Sequence, residues 1–325
     1  MTEAKEYDAF TLVKDKTRTL LDGKGSVTLV DLHPRICPEG WTPEFRIVQA
    51  ARVSYGKGLT TPEKDAGLTR YLMANRHTSP VEMCGVTLRL ELPGPIAVHF
   101  LRHRTGKFNQ FSQRYSEVKE ATHFYDPTVT ENGIRGQSKT NKQASALGVL
   151  TEEETQRIAE LMKQANELNK QQHALYKQMV DAGCAKEIAR FYLPNGEYTT
   201  LYMQFDLNNL IKLLELRADK HAQWETQQYA LAIIDLCKPL FPTVFRVYEE
   251  RVSGLFLSGP ELEAFRNGAE LTSKSETEQV AYKKKRSRLL IKQAPTEAET
   301  VSVEAKPELP KPVLVEAKPE LPQDS

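Results

Sequence analysis

Cysteine is scarce in this 325-residue sequence, and the four that occur, Cys37, Cys84, Cys184 and Cys237, lie far apart. They make no C-x-x-C pair, zinc-ligand spacing or disulfide framework, so no metal site is expected and a reducing cytoplasm fits best. An excess of either charge is also missing, since 44 Lys and Arg oppose 43 Asp and Glu for a net charge of +1. The chain as a whole is not drawn to nucleic acid or anionic membrane, and any anion binding has to be local. Long apolar runs are absent. A stretch such as Tyr229–Ile234 is far too short to span a bilayer, and Met1–Glu6 lacks the apolar character of a signal peptide. No G-x-G-x-x-G follows a strand pattern, so a Rossmann-type dinucleotide site is not supported.

Aromatic residues stop at Tyr282, and V-E-A-K-P-E-L-P occurs at 303–310 and again at 315–322. Such a segment buries too little apolar surface to offset chain entropy, so residues 271–325 are expected to be a disordered tail after a folded domain of residues 1–270. The cluster Lys283-Lys284-Lys285-Arg286-Ser287-Arg288 opens that tail and reads as a solvated charge run; its partner is not evident from sequence.

The first 270 residues read as mixed α and β. Gly25–Leu32 and Cys84–Leu92 have strand character, the second placing Cys84, Val86, Leu88, Leu90 and Leu92 at period two. Thr42-Pro43-Glu44 and Thr61-Pro62-Glu63 look like helix starts: Thr caps, Pro fills the first turn and Glu meets the positive helix end. Pro95 opens a short helix leading to Arg102, and Thr151-x-x-Glu154 is a capping-box pattern heading a long helix to about Asp181, before Gly183. Pro194 closes another short helix. Residues 207–240 read as helix, with a break allowed, because no Pro or Gly interrupts them before Pro239.

The most informative stretch is RHRTGKFNQFSQRYS, residues 102–116, where Arg102, His103, Arg104, Lys107 and Arg114 occur without one Asp or Glu. Guanidinium groups grip phosphate oxygens through paired hydrogen bonds, and Asn109, Gln110 and Ser112 offer neutral donors and acceptors to a base or a flavin. Read from residue types alone, the stretch also suits a nucleic-acid-binding patch of arginines and stacking rings. A second constellation, Leu216-Arg217-Ala218-Asp219-Lys220-His221-Ala222-Gln223-Trp224-Glu225, places Arg217, His221, Glu225 and Gln228 at spacings of three and four, as if along one helix face.

R-H-R-x7-S followed by L-R-x-D-x-H-A-Q-x-E resembles the two sequence blocks of the flavin-dependent thymidylate synthases. Ala50–Tyr55, His77-Thr78-Ser79-Pro80-Val81-Glu82, the block from Gln137 to Gln143, and Ile188-Ala189-Arg190 with Leu193-Pro194 resemble further blocks in the same order, so the likeness covers roughly residues 25–265. It implies an α+β domain with a central antiparallel sheet and orthogonally packed helices, assembled as a homotetramer with active sites shared between subunits. It also implies reductive methylation of dUMP to dTMP, with 5,10-methylene-tetrahydrofolate as carbon donor and NADPH reducing a bound FAD.

By resemblance, FAD is contacted by Arg102, His103 and Arg104 with Ser79, His77, Asn109 and Gln110, and by Asp206, Asn208 and Lys212 near the late helix. dUMP lies against His99, Phe100, Leu101 and Arg102, and against Gln110, Phe111, Ser112, Gln113 and Arg114. Arg190 comes from a neighbouring subunit, and Arg217 meets the uracil edge as the catalytic residue. The chain departs from the family pattern at His99, often Gln; at Gln110, often Glu; and at Lys212, where Asn or His is usual. No cysteine lies in either motif to attack the ring, and Ser112 has no adjacent base, so Ser112 is assigned to orienting the nucleotide. Arg217 then activates uracil electrostatically. The alternatives are the same flavin chemistry on another uridine nucleotide, or a nucleic-acid-binding protein.

Overall fold

The computed structural model describes residues 5–118, 123–139, 142, 144–254, 257–272 and 276–291. In chain order these residues form β1 (Glu6–Asp8), β2 (Thr17–Leu20), β3 (Gly25–His33), β4 (Ile36–Pro38), α1 (Phe45–Arg52), α2 (Pro62–Ala74), α3 (Thr78–Val81), β5 (Gly85–Pro93), α4 (Gly94–Leu101) and β6 (Lys107–Gln110). There follow β7 (Gly136–Gln137), β8 (Ser145–Ala146), α5 (Glu152–Asp181), α6 (Lys186–Ala189), β9 (Tyr198–Asp206), α7 (Leu207–Arg217), α8 (Trp224–Cys237), α9 (Pro242–Ser253), α10 (Gly259–Arg266) and α11 (Glu276–Ile291). Two compact units divide between Tyr248 and Glu249.

The first unit is built on a five-stranded antiparallel sheet of order β2-β3-β5-β9-β6, as the resemblance implied. β5 is central, with nine residues paired from Gly85 opposite Asp206 to Pro93 opposite Tyr198. The period-two pattern of β5 buries Val86, Leu88, Leu90 and Leu92, and β9 adds Leu201, Met203 and Phe205. Each large aliphatic side chain so buried contributes about 1.5–3 kcal/mol. Helix α8 is sealed on nearly every face, with Tyr229 to Ile234, Leu236 and Cys237 all buried. That is why its sequence is apolar without helical periodicity.

The expected caps at Thr61 and Thr151 are made. Thr61 Oγ1 accepts from Lys64 N at 3.4 Å, and Thr151 and Glu154 exchange reciprocal bonds at 3.2 and 2.8 Å. After α5 the chain turns at Gly183, whose φ of +91° an L side chain rarely adopts. At Thr42-Pro43-Glu44 the structure differs from the expectation. Helix α1 begins only at Phe45, and the Glu44 carboxylate instead accepts from Val244 N at 2.7 Å in the first turn of α9. Glu44 does meet a positive helix end, but that of another helix. Of the Gln137–Gln143 block, Gln137 lies in β7, while Thr140, Asn141 and Gln143 fall outside the described residues.

The second unit corrects the reading that placed the tail from residue 271. Residues 276–291 are helical, and Lys283, Lys285 and Arg286 of the basic cluster meet acids rather than solvent alone. Lys285 reaches both oxygens of Glu261 at 2.8 Å, Arg286 pairs with Glu270 at 3.2 Å, and the Tyr282 hydroxyl donates to Ala269 O at 3.2 Å. Neutralised lysines and a buried tyrosine let the segment fold where bare composition argued against it. Residues 292–325, with both E-A-K-P-E-L-P repeats, lie outside the described residues.

Candidate functional site

The R-H-R stretch occupies the passage from α4 to β6, at the edge of the sheet. Helix α4 leaves the end of β5 through Pro93-Gly94-Pro95, buries Phe100 completely, and puts His99 in its last turn. A tight turn follows, with His103 N bonded to Phe100 O at 3.0 Å and Gly106 N to His103 O at 3.0 Å. Gly106 is required by close approach, since a Cβ there would stand 2.2 Å from the Phe205 ring. The chain then runs as β6 against β9 alone, anchored by Phe108 edge-on to Phe205 at 5.6 Å.

Anchoring one apolar ring leaves the polar groups outside. Arg102, Arg104, Lys107, Asn109 and Gln110 are all exposed, and Arg102 and Arg104 make no ion pair among the described residues. Gln110 Nε2 donates to Thr199 Oγ1 at 3.2 Å. Ser112 sits in the following turn, its Oγ accepting from Arg114 N at 3.4 Å, and among the described residues no imidazole or carboxylate contacts that hydroxyl. It is therefore a poor nucleophile, in keeping with an orienting role.

The second constellation is arranged differently from the expected single helix face. Helix α7 ends at Arg217 and α8 begins at Trp224, so Arg217, His221, Glu225 and Gln228 do not share one stripe. The break has a local cause: Asp219 Oδ1 accepts from both the backbone N and the ring Nδ1 of His221, at 2.8 and 2.7 Å, offering the backbone an alternative to continuing the helix. His221 is exposed, whereas Glu225 and Gln228 are buried. Glu225 pairs with Arg135, and also accepts from the Tyr125 hydroxyl at 3.2 Å and from Gln223 Nε2 at 3.0 Å.

The break delivers Arg217 to the first motif. Its Nε donates to His103 Nε2 at 2.9 Å. Beside it, His99 Nδ1 lies 2.7 Å from Thr226 Oγ1 of α8. Burial and the Arg217 charge together push both imidazoles below the usual histidine range, and the buried Glu225 carboxylate only partly opposes this at His99. Burial also draws Arg217 below its ordinary value, yet a guanidinium stays cationic at neutral pH. One charged guanidinium thus stands beside two neutral histidines.

His77 and Ser79 stand at the start of α3, both exposed, with the His77 ring 6.3 Å from that of Tyr71. The same block is tied to α7 by Asn208 Nδ2 donating to Glu82 Oε1 at 3.0 Å. Asp206 caps α7, one oxygen taking Asn209 N at 2.9 Å and the other Asn209 Nδ2 at 2.7 Å; Lys212 Nζ reaches Asn209 Oδ1 at 3.5 Å. A cavity of about 280 Å³ lies here, lined by Glu82, Thr105, Lys107, Phe205 and Asp206 among others. Unpaired, exposed guanidinium groups beside neutral amide donors fit a dinucleotide cofactor with a pyrophosphate, so the donor set suits FAD.

A larger cavity, about 520 Å³, opens on the other side of the motif and is lined by Phe111, Ser116, His123, Lys186, Tyr198, Thr199 and Thr200 among others. Helix α6 is fastened to the motif here through Arg114–Glu187 at 3.0 Å and Lys186 Nζ to Tyr115 O at 3.4 Å. Arg190 follows directly in a 3-10 turn, over the Phe191 ring at 5.9 Å. Sequence reasoning missed the partners: Thr226, Thr199 and Arg135 carry no motif of their own, and only the fold brings them to His99, Gln110 and Glu225.

With this geometry described, comparison with known proteins is specific. The family described as "Thymidylate synthase complementing protein" matches residues 39–243. A Dictyostelium discoideum protein named flavin-dependent thymidylate synthase is 37% identical over 264 residues, covering 80% of this chain and 84% of that one. A Thermus thermophilus protein of the same name is 42% identical over 221 residues, covering 68% and 77%. Among solved structures, the UMP/dUMP methylase PolB from Streptomyces cacaoi, bound with 5-Br UMP, aligns with a TM-score of 0.53 at 28% identity, covering 69% of this chain and 93% of that one.

Proposed function

The chain belongs to the thymidylate synthase complementing proteins, the flavin-dependent thymidylate synthases, and from that premise we propose how its residues divide the reductive methylation of dUMP to dTMP. Bound FAD, reduced by NADPH, supplies the two reducing electrons, and methylene-tetrahydrofolate supplies the carbon.

Arg102 and Arg104, exposed and unpaired, hold the flavin's phosphates with Asn109 and Gln110 beside them, and Ser79 and His77 approach from α3. Asn208 stays available at its carbonyl oxygen, since its amide nitrogen is spent on Glu82. Asp206 acts mainly by fixing α7, because both its oxygens are engaged by Asn209.

The nucleotide lies along His99 to Arg102 and Gln110 to Arg114. Ser112 and Gln110 orient it, and Arg114 and Arg190 serve its phosphate. Arg217 faces the uracil edge. No carboxylate pairs with Arg217 among the described residues, so its full positive charge is available to the electron-rich uracil whose carbon 5 must attack the carbon donor. The observation that carries this reading is the Arg217–His103 contact, which joins residues 114 positions apart from the two motifs.

We further propose a homotetramer in a cytoplasmic setting, with Arg190 completing a neighbouring subunit's site. No described helix is long and apolar enough to cross a membrane. Sharing is tested by co-refolding Arg190→Ala with Arg217→Ala. If each is inactive alone, mixed assemblies contain some sites free of both lesions and recover a fraction of wild-type activity. Zero activity in assemblies shown to be mixed by mass spectrometry places both residues in one chain's site. Running UMP beside dUMP tests the second reading, favoured by the solved methylase that takes both nucleotides.

A further inference from the structure

Arg217 has an unusual partner. Guanidinium groups partly removed from water are ordinarily held by carboxylates, as Arg135 is held by Glu225 and Arg52 by Asp65 in this molecule. Arg217 is instead held through Nε by an imidazole nitrogen, and its two terminal nitrogens have no protein partner among the described residues. Arginine can only donate, so His103 Nε2 must accept, which fixes His103 as the neutral tautomer carrying its proton on Nδ1. Burial and the adjacent cation both favour that neutral form.

We infer that His103 is a positioning residue for Arg217, orienting its guanidinium through a neutral acceptor so that the charge is held in place without being cancelled. A carboxylate at this position would orient the side chain equally well while neutralising it. The backbone supports the role. His103 sits in the turn closed by Phe100 O and Gly106 N, which fixes its Cα against the buried end of α4. The bond commits Nε2 to Arg217 and leaves the rest of the ring to the flavin contact that the resemblance implies. This inference rests on the reading of Arg217 as the residue that polarises uracil.

The test uses full-length enzyme with FAD, NADPH, methylene-tetrahydrofolate and dUMP, in the variants His103→Ala, His103→Gln, His103→Glu, Arg217→Ala and the double alanine variant. Flavin content is read from visible absorbance and folding from circular dichroism. His103→Ala is expected to keep its flavin and lose at least tenfold in kcat. His103→Gln, whose amide oxygen can replace Nε2, is expected to recover to within about threefold of wild type, and His103→Glu to stay low because it cancels the charge. The double variant should be no slower than Arg217→Ala, because both changes remove one function.

Wild-type kcat in His103→Ala overturns the inference. So does equal rescue by Gln and Glu, which marks a purely structural hydrogen bond, or loss of flavin with additive effects in the double variant, which marks a flavin ligand. If His103→Ala fails to fold, the Gln and Glu pair decides alone. Near-normal turnover by Arg217→Ala instead overturns the underlying reading of Arg217, an outcome separate from the other three.

Discussion

Arg135 and Glu225, ninety residues apart, form an ion pair whose side chains are only 10% and 5% exposed. The pair fastens the segment before α5 to the first turn of α8, and the Arg135 guanidinium also lies over the Trp224 ring at 4.8 Å. The next residue, Thr226, holds His99. An ion pair thus fixes the segment that holds His99.

Removing one partner of a buried pair strands the other, at a typical cost of about 3–5 kcal/mol. Glu225→Ala is therefore expected to lower the denaturant midpoint markedly, whereas Asp219→Ala, at the exposed turn, should change it little. Chemical denaturation monitored by circular dichroism checks both. Equal midpoints for Glu225→Ala and wild type would show that the pair contributes nothing.

Arg217→Ala should leave FAD bound while turnover collapses, since Arg217 is assigned to uracil. A hydrogen bond to a charged group is worth roughly 1.5–3 kcal/mol, so losing one concentrated in the transition state costs at least about tenfold in rate. Absorbance of bound flavin and dTMP formation, measured on one preparation, separate the two effects.

Ser112→Ala should weaken use of dUMP but retain measurable turnover, because among the described residues the Ser112 hydroxyl has no base beside it. A raised KM with surviving kcat is the expected pattern. Isolation of a covalent serine-nucleotide adduct would reverse the assignment.

Glu197, next to the cavity-lining Tyr198, has neither carboxylate oxygen hydrogen-bonded among the described residues, and burial pushes its pKa up to about 8, with Lys24 only partly opposing. The folded state therefore prefers the protonated acid. That contribution to stability is full below the ordinary value of 4.5 and is lost as pH rises toward about 8. Glu197→Gln should flatten the decline, and unfolding midpoints at pH 5 and pH 8.5 should converge in the variant. An unchanged pH slope would locate the titrating group elsewhere.

Much of the fold was legible where local physics decides it. The period-two pattern of β5, the Thr151–Glu154 capping box and the glycine after α5 each specify their element from neighbouring residues alone. The two motifs, both visible in sequence, meet in the fold through Arg217 and His103. What sequence could not give was set by tertiary contact: Glu44 looks like a residue of its own helix start but serves α9, and 207–240 looks continuous until the Asp219 side chain turns the chain. Sequence allows a break in this stretch without placing it, so Arg217 looks like a neighbour of His221 on one helix face, whereas its partner is His103. The basic cluster looks solvated in sequence because Glu261 and Glu270, which meet Lys283, Lys285 and Arg286, lie too far back for any local pattern to register.

The central claim is that this chain methylates dUMP with flavin-borne electrons, and it is tested most directly by release of tritium from carbon 5 of labelled dUMP. The account predicts a yellow protein that releases tritium in proportion to dTMP formed, only when NADPH and methylene-tetrahydrofolate are both supplied. Tritium release and dTMP formation that persist after the flavin has been stripped, or a flavin-loaded protein that makes no dTMP, would contradict it.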